Sequence, residues 1–95
     1  MSPAALRPDH VRQTVVEILL RHSTSGLARD DVADECPLIG GGFDLDSIAL
    51  LGSILDIERD LGVRLREEDL TEEALGQLKG FVDHICRRLS AAHCP

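Results

Sequence analysis

Apolar residues in this chain recur with the period of an α-helix in three separate stretches, and that repeat leaves little room for another class of fold. Val11, Val15, Ile18 and His22 step by four, three and four residues, with Leu19 widening the stripe. Leu50, Ile54, Ile57 and Leu61 repeat those steps, and Leu75, Leu78, Val82, Ile85 and Leu89 step by three, four, three and four. Such spacing stacks side chains on one face of a helix with about 3.6 residues per turn. Each apolar stripe must be buried against another element, so three of them predict a bundle. With 95 residues the chain has the length of one domain with one modest core. The expected fold is all-α: three main helices, a short helix before the last one, and a long loop between the first two. The single domain is expected to span residues 1–95, with flexible ends at about 1–8 and 90–95.

Local signals set the boundaries. The first helix should run from Asp9 to His22 and end at Ser23-Thr24-Ser25-Gly26. His22, on the apolar side, reads as a packed or capping histidine rather than a ligand. From Ser23 to Leu45 no long periodic segment occurs, and a stretch of that length is often functional. Leu27 to Glu35 has room for one or two helical turns before Cys36-Pro37 ends them. Leu38, Ile39 and Phe43 are expected to pin the loop to the core. The run Gly40-Gly41-Gly42 opens backbone conformations closed to other residues, but it lacks the pattern of a phosphate loop.

The second helix should cover Ser47 to Leu61, capped by Asp46 or Ser47 and stopped by Gly62. Its Leu50, Ile54, Ile57 and Leu61 stripe is assigned to the core. Ile48, Leu51 and Leu55 form a second apolar arc on the other side of Ser47, which must pack on another element or meet a partner. Ala49, Ser53, Asp56 and Asp60 fill the remaining face, read as outer and polar. A short helical turn is expected at Arg66–Leu70. Thr71 then caps a last helix with Glu72 and Glu73 in its first turn.

Charge excludes several functions. Seventeen acids oppose ten basic residues, nine of them Arg, for a net charge of −7, and the aromatics are two Phe. Nucleic-acid binders carry a basic footprint, and single-strand binders add stacking rings, so neither nucleic acid nor an anionic membrane surface fits. A basic protein partner does. No apolar run approaches the roughly 20 residues that span a bilayer, and Met1–Pro8 lacks a hydrophobic signal core, which points to the cytoplasm. Cys36, Cys86 and Cys94 then read as reduced thiols. His84, Cys86, His93 and Cys94 make a poor metal site, because His84 and Cys86 are two apart and face different sides of a helix. A calcium loop starting at Asp44 fails at its fifth, sixth and twelfth positions, which are Ile48, Ala49 and Leu55. The acid runs Asp30-Asp31 and Glu67-Glu68-Asp69 read as solvated faces, and no His lies near Ser47 in sequence, so no catalytic residue is expected.

What remains is Asp46-Ser47-Ile48, at the junction of a glycine-bearing loop and an amphipathic helix. The stretch Leu45-Asp46-Ser47-Ile48-Ala49-Leu50-Leu51, continuing through Leu55-Asp56-Ile57-Glu58-Arg59-Asp60-Leu61-Gly62-Val63-Arg64-Leu65 and Glu68-Asp69-Leu70, resembles the acyl carrier proteins and related phosphopantetheine-binding carriers. In order these look like the family's Asp-Ser-Leu attachment motif, its second helix, the Gly-Val-x-Leu turn and the acidic third-helix segment. Two departures stand out: Ile48 in place of the commoner Leu, and Asp44 and Leu45 where the family often has a Gly. The resemblance implies an acyl-carrier-like bundle whose Ser47 carries covalent 4′-phosphopantetheine from coenzyme A, with Asp46 part of the motif. It also implies that Ile48, Leu51, Leu55, Asp56 and Glu58 meet partners with basic patches. Those partners would be a phosphopantetheinyl transferase, an acyltransferase or adenylating enzyme, and a ketosynthase or other acyl-processing enzyme. The implied protein is a monomeric carrier, not an enzyme, and the Arg-rich composition favours bacterial polyketide or related natural-product assembly. A peptidyl or aminoacyl carrier, and an acidic helical adaptor without a prosthetic group, remain open beside it.

Overall fold

The computed structural model describes residues 7–66 and 70–93. Helix α1 is Pro8–His22, α2 is Ser47–Leu61, α3 is Glu72–Gly76 and α4 is Leu78–His93, with a single 3-10 turn at Arg29–Asp31. Among the described residues there is no strand, so the fold is an all-helical bundle. Helix α1 packs against both α2 and α4, and α3 packs against α4.

The helix boundaries follow from the capping chemistry. Proline at the first position of α1 gives up an N–H that would have no partner there, and Asp9 adds negative charge at the positive end. The Asp46 carboxylate caps α2 by accepting a 2.7 Å hydrogen bond from the Ala49 N–H. At the other end Gly62 takes a left-handed conformation (φ 65°), and its N–H donates to the Glu58 carbonyl.

One apolar cluster fills the centre. Val11, Val15, Ile18 and Leu19 from α1 meet Ile54, Ile57 and Leu61 from α2 and Leu78, Phe81, Val82, Ile85 and Leu89 from α4. Leu50, expected in the core stripe, is half-buried and packs on the edge of this cluster. Leu38, Phe43 and Leu45 close the cluster from the long loop. The loop holds its own shape through hydrogen bonds from Phe43 N–H to the Pro37 carbonyl and from Leu45 N–H to the Leu38 carbonyl. Gly42, at φ +56°, sits where an added Cβ would lie 2.5 Å from the Pro37 oxygen, so the loop closes only with glycine there. The Ser23 hydroxyl donates 2.6 Å to the Phe43 carbonyl and ties the end of α1 to the loop.

The structure corrects the expected start of the last helix and the expected place of Ile39. The last helix does not begin at Thr71. Thr71 caps the five-residue α3, Gln77 is extended (φ −146°, ψ 143°), and α4 starts afresh at Leu78. The break is stabilised from a distance, because the Leu78 and Lys79 N–H groups donate to the Cys36 and Asp34 carbonyls of the loop. The short helix before the last one is therefore Glu72–Gly76, and the turn expected at Arg66–Leu70 falls mostly outside the described residues. Arg66 and Leu70 are not helical, and 67–69 lie outside the described residues. Residues 90–93 continue α4, and 1–6, 94 and 95 lie outside the described residues. Ile39 does not pin the loop to the core; it is 39% exposed while its neighbour Leu38 is fully buried.

Candidate functional site

Ser47 occupies the first turn of α2, and its side chain is exposed. The sequence left the cap to either Asp46 or Ser47, and the structure gives it to Asp46. The Ser47 hydroxyl is thereby left with no hydrogen bond among the described residues. The approach to it is fixed by the loop: Asp44 takes a left-handed conformation (φ 50°), and Leu45 is buried. Leu45 anchors one side of the junction and the Asp46 cap anchors the other, so the serine stands on a rigid corner.

Beside it runs an apolar surface. Ile48 is 84% exposed, Leu51 58% and Leu55 55%. With Ile39 they make up the exposed large apolar side chains of the described residues, and no described element covers them. The sequence grouped Ile48, Leu51 and Leu55 as one arc that packs on another element or meets a partner, and all three are exposed. It missed Ile39, whose signal was a bulky apolar residue placed directly before the glycine run.

Asp56 and Glu58, expected to border that arc, also make contacts within the chain. Asp56 is half-buried on the flank of α2 that faces α1, where His22 Nε2 donates to its Oδ2 at 2.8 Å. Arg59 Nη2 reaches its other oxygen at 3.1 Å and Arg21 Nη1 stands at 3.7 Å. The hydrogen bond from His22 is the main reason the Asp56 carboxyl lies below its ordinary range. Partial burial works against that, and the charges of Arg59, His22 and Arg21 add to it. The Glu58 side chain is likewise committed within the chain, accepting 2.8 Å from the Leu65 N–H and so bracing the turn after α2. Ser53, expected on an outer polar face, is fully buried, and its hydroxyl donates to the Ala49 carbonyl at 2.8 Å. Asp60 alone of that expected face is exposed.

Gly52 explains how α1 approaches so closely. An added Cβ there would lie 2.8 Å from His22 Cε1. A glycine in mid-helix, one turn before an aspartate, was the available signal for the His22 pairing. Of the cysteines, Cys86 sits on α4 with its thiol pushed up by burial and by Asp83, which keeps it protonated at neutral pH. Cys36 is half-buried in the loop, and Cys94 lies outside the described residues. Among the described residues no three His, Cys, Asp or Glu side chains converge as metal ligands, and no helix is long and apolar enough to cross a membrane.

Such a site offers one free hydroxyl on a rigid corner beside an apolar strip, with exposed acids at Asp44 and Asp46. Among the described residues no side chain is hydrogen-bonded to that hydroxyl. No family model, curated protein or solved structure matches the chain. The assignment of the site therefore rests on its own residues.

Proposed function

We propose that the chain is an acyl carrier protein whose Ser47 bears 4′-phosphopantetheine, the arm holding acyl intermediates as thioesters. The observation that carries this reading is the exposed, unbonded Ser47 hydroxyl at the start of α2, capped by Asp46 and flanked by an uncovered apolar arc. In the attachment step the Ser47 oxygen attacks the β-phosphorus of coenzyme A, a P–O bond of the pyrophosphate breaks, and 3′,5′-ADP leaves. A phosphopantetheinyl transferase supplies the base that takes the serine proton. The chain contributes accessibility and a fixed position. The N–H groups of the first α2 turn favour the phosphate that results, and the tether raises the local concentration of the cargo at each enzyme. In this reading the protein works as a cytoplasmic monomer in bacterial polyketide or related assembly, passing between a transferase, a loading enzyme and a ketosynthase.

Intact-protein mass spectrometry after incubation with coenzyme A and a broad-specificity transferase tests the assignment. The wild type should gain the mass of one phosphopantetheine, and Ser47→Ala should gain none. Because Asp46 and not Ser47 caps the helix, Ser47→Ala should also leave stability within about 0.5 kcal/mol. Arm attachment to the Ser47→Ala protein would overturn the site. Loading of the armed protein by acyl-transferring rather than amino-acid-adenylating enzymes separates the acyl carrier from its aminoacyl counterpart.

A further inference from the structure

The uncovered arc of α2 runs between two ends of opposite character. Beside Ser47 stand Asp44 and Asp46, both exposed, and neither is ion-paired among the described residues. At the other end a surface groove of about 590 Å³ is lined by Leu55, Glu58, Arg59, Gly62, Val63 and Arg64. It carries two guanidiniums against one carboxylate, and that carboxylate already accepts the Leu65 N–H. Arg59 is turned to Asp56 and Asp60, at 3.1 and 3.5 Å. Arg64 is exposed and has no ion pair among the described residues. Leu55 supplies an exposed apolar wall. Asp46 and Arg59 lie about 20 Å apart along the helix axis.

We infer that this groove seats an apolar side chain flanked by a carboxylate, presented by the enzyme that acts on Ser47. The inference rests on the carrier reading and adds a direction to it. A chain of net charge −7 draws a basic enzyme toward itself in any orientation. The groove selects among those orientations. A partner lying along α2 with its cations over Asp44 and Asp46 places an acid over Arg64. The reversed partner sets cation against guanidinium and carries its reactive centre away from Ser47. A second copy of this chain is a poorer occupant, because each copy brings −7 to the contact.

The test uses the full chain with a broad-specificity phosphopantetheinyl transferase and coenzyme A. At low salt Arg64→Glu should raise KM for the carrier about three- to tenfold with kcat unchanged, the size expected for reversing one solvent-exposed charge contact. Arg64→Lys should stay within about twofold of wild type. The difference should collapse near about 0.5 M salt, where screening acts within a few ångströms. Thermal melts of both variants should match the wild type, Arg64 being exposed. A photo-crosslinking benzoylphenylalanine at position 64 should mark an acid-bearing apolar segment of the transferase. A KM that is unmoved or lowered by Arg64→Glu overturns the inference. So does a crosslink to a Lys- or Arg-rich segment, or a carrier–carrier adduct, which would assign the groove to a second copy. A wild type that never gains the arm overturns the carrier reading and this inference together. A wild type that gains it with KM indifferent to Arg64 overturns the inference alone.

Discussion

The two long flanks of α2 reverse the ordinary rule of burial. On the flank facing α1, Ser53 is fully buried, Gly52 lies against the His22 ring, and Asp56 is half-buried. On the opposite flank Ile48 is 84% exposed, and Leu51 and Leu55 are more than half exposed. Hydropathy alone would exchange these two flanks. The physical reason is distance of approach: small residues let α1 come close, and the polar groups that result are satisfied inside the contact, Ser53 by the Ala49 carbonyl and Asp56 by His22. The large apolar side chains stand where none of the described residues covers them. Burial on this helix is decided by what the neighbouring helix can reach, and the flank left over stays exposed.

The strongest way to break this comparison is to truncate each side. Ile57→Ala removes a fully buried side chain from the central cluster and should cost about 2–5 kcal/mol in urea unfolding. Leu51→Ala should cost less than about 1 kcal/mol, the range of surface changes. Equal losses from the two would place Leu51 in the core and remove the uncovered arc. A gentler pair sharpens the same point by exchanging polarity. Ser53→Leu pushes extra carbon into a site with no space and should destabilise by about 1–3 kcal/mol. Leu51→Ser should be near neutral. If Ser53→Leu stabilises instead, the α1 flank is looser than described.

The α1 flank also predicts a pH dependence that the exposed arc does not share. Asp56 has a carboxyl held below its ordinary value of 3.8, first by the His22 hydrogen bond. A carboxyl that binds its proton more weakly folded than unfolded stabilises the fold fully above the unfolded value. That contribution fades as pH falls through the folded one. Asp56→Asn should therefore be less stable than wild type at neutral pH, with the two curves converging below about pH 4. Urea midpoints at pH 7 and pH 3 read the difference. A gap of the same size at both values would mean that the Asp56 charge contributes nothing to the α1–α2 contact.

What the sequence disclosed and what it hid divide along the same line. The span Ser47–Leu61, a cap at Asp46 or Ser47 and the Gly62 stop were legible because period, N-cap and left-handed glycine are all local signals. So was the Asp46-Ser47 corner with its apolar arc. The break at Gln77 was not, because the carbonyls that receive the N–H groups of α4 belong to Asp34 and Cys36, some forty residues upstream. The intramolecular partners of Asp56 and Glu58 were hidden for the same reason. The helix positions of these two acids place them near the arc, but the His22 ring and the Leu65 N–H that engage them arrive from elsewhere in the chain. Ile39 was misplaced because the direction of a single loop side chain has no periodicity behind it.

The smallest expected effect isolates the contact between Gly52 and His22. Replacing a mid-helix glycine by alanine ordinarily gains about 1 kcal/mol. Here the new Cβ would lie 2.8 Å from His22 Cε1 and 3.1 Å from Nδ1, so the ring must shift and its hydrogen bond to Asp56 must lengthen. The gain and the loss oppose each other, and Gly52→Ala alone should leave the unfolding midpoint almost where it was. With His22→Ala already in place, nothing obstructs the Cβ, and Gly52→Ala should then recover about 1 kcal/mol. Midpoints of the four proteins in this cycle give the coupling directly. If Gly52→Ala stabilises the wild type and the His22→Ala protein equally, the ring does not occupy the space above Gly52. The close approach of α1 would then have to come from Ser53 alone.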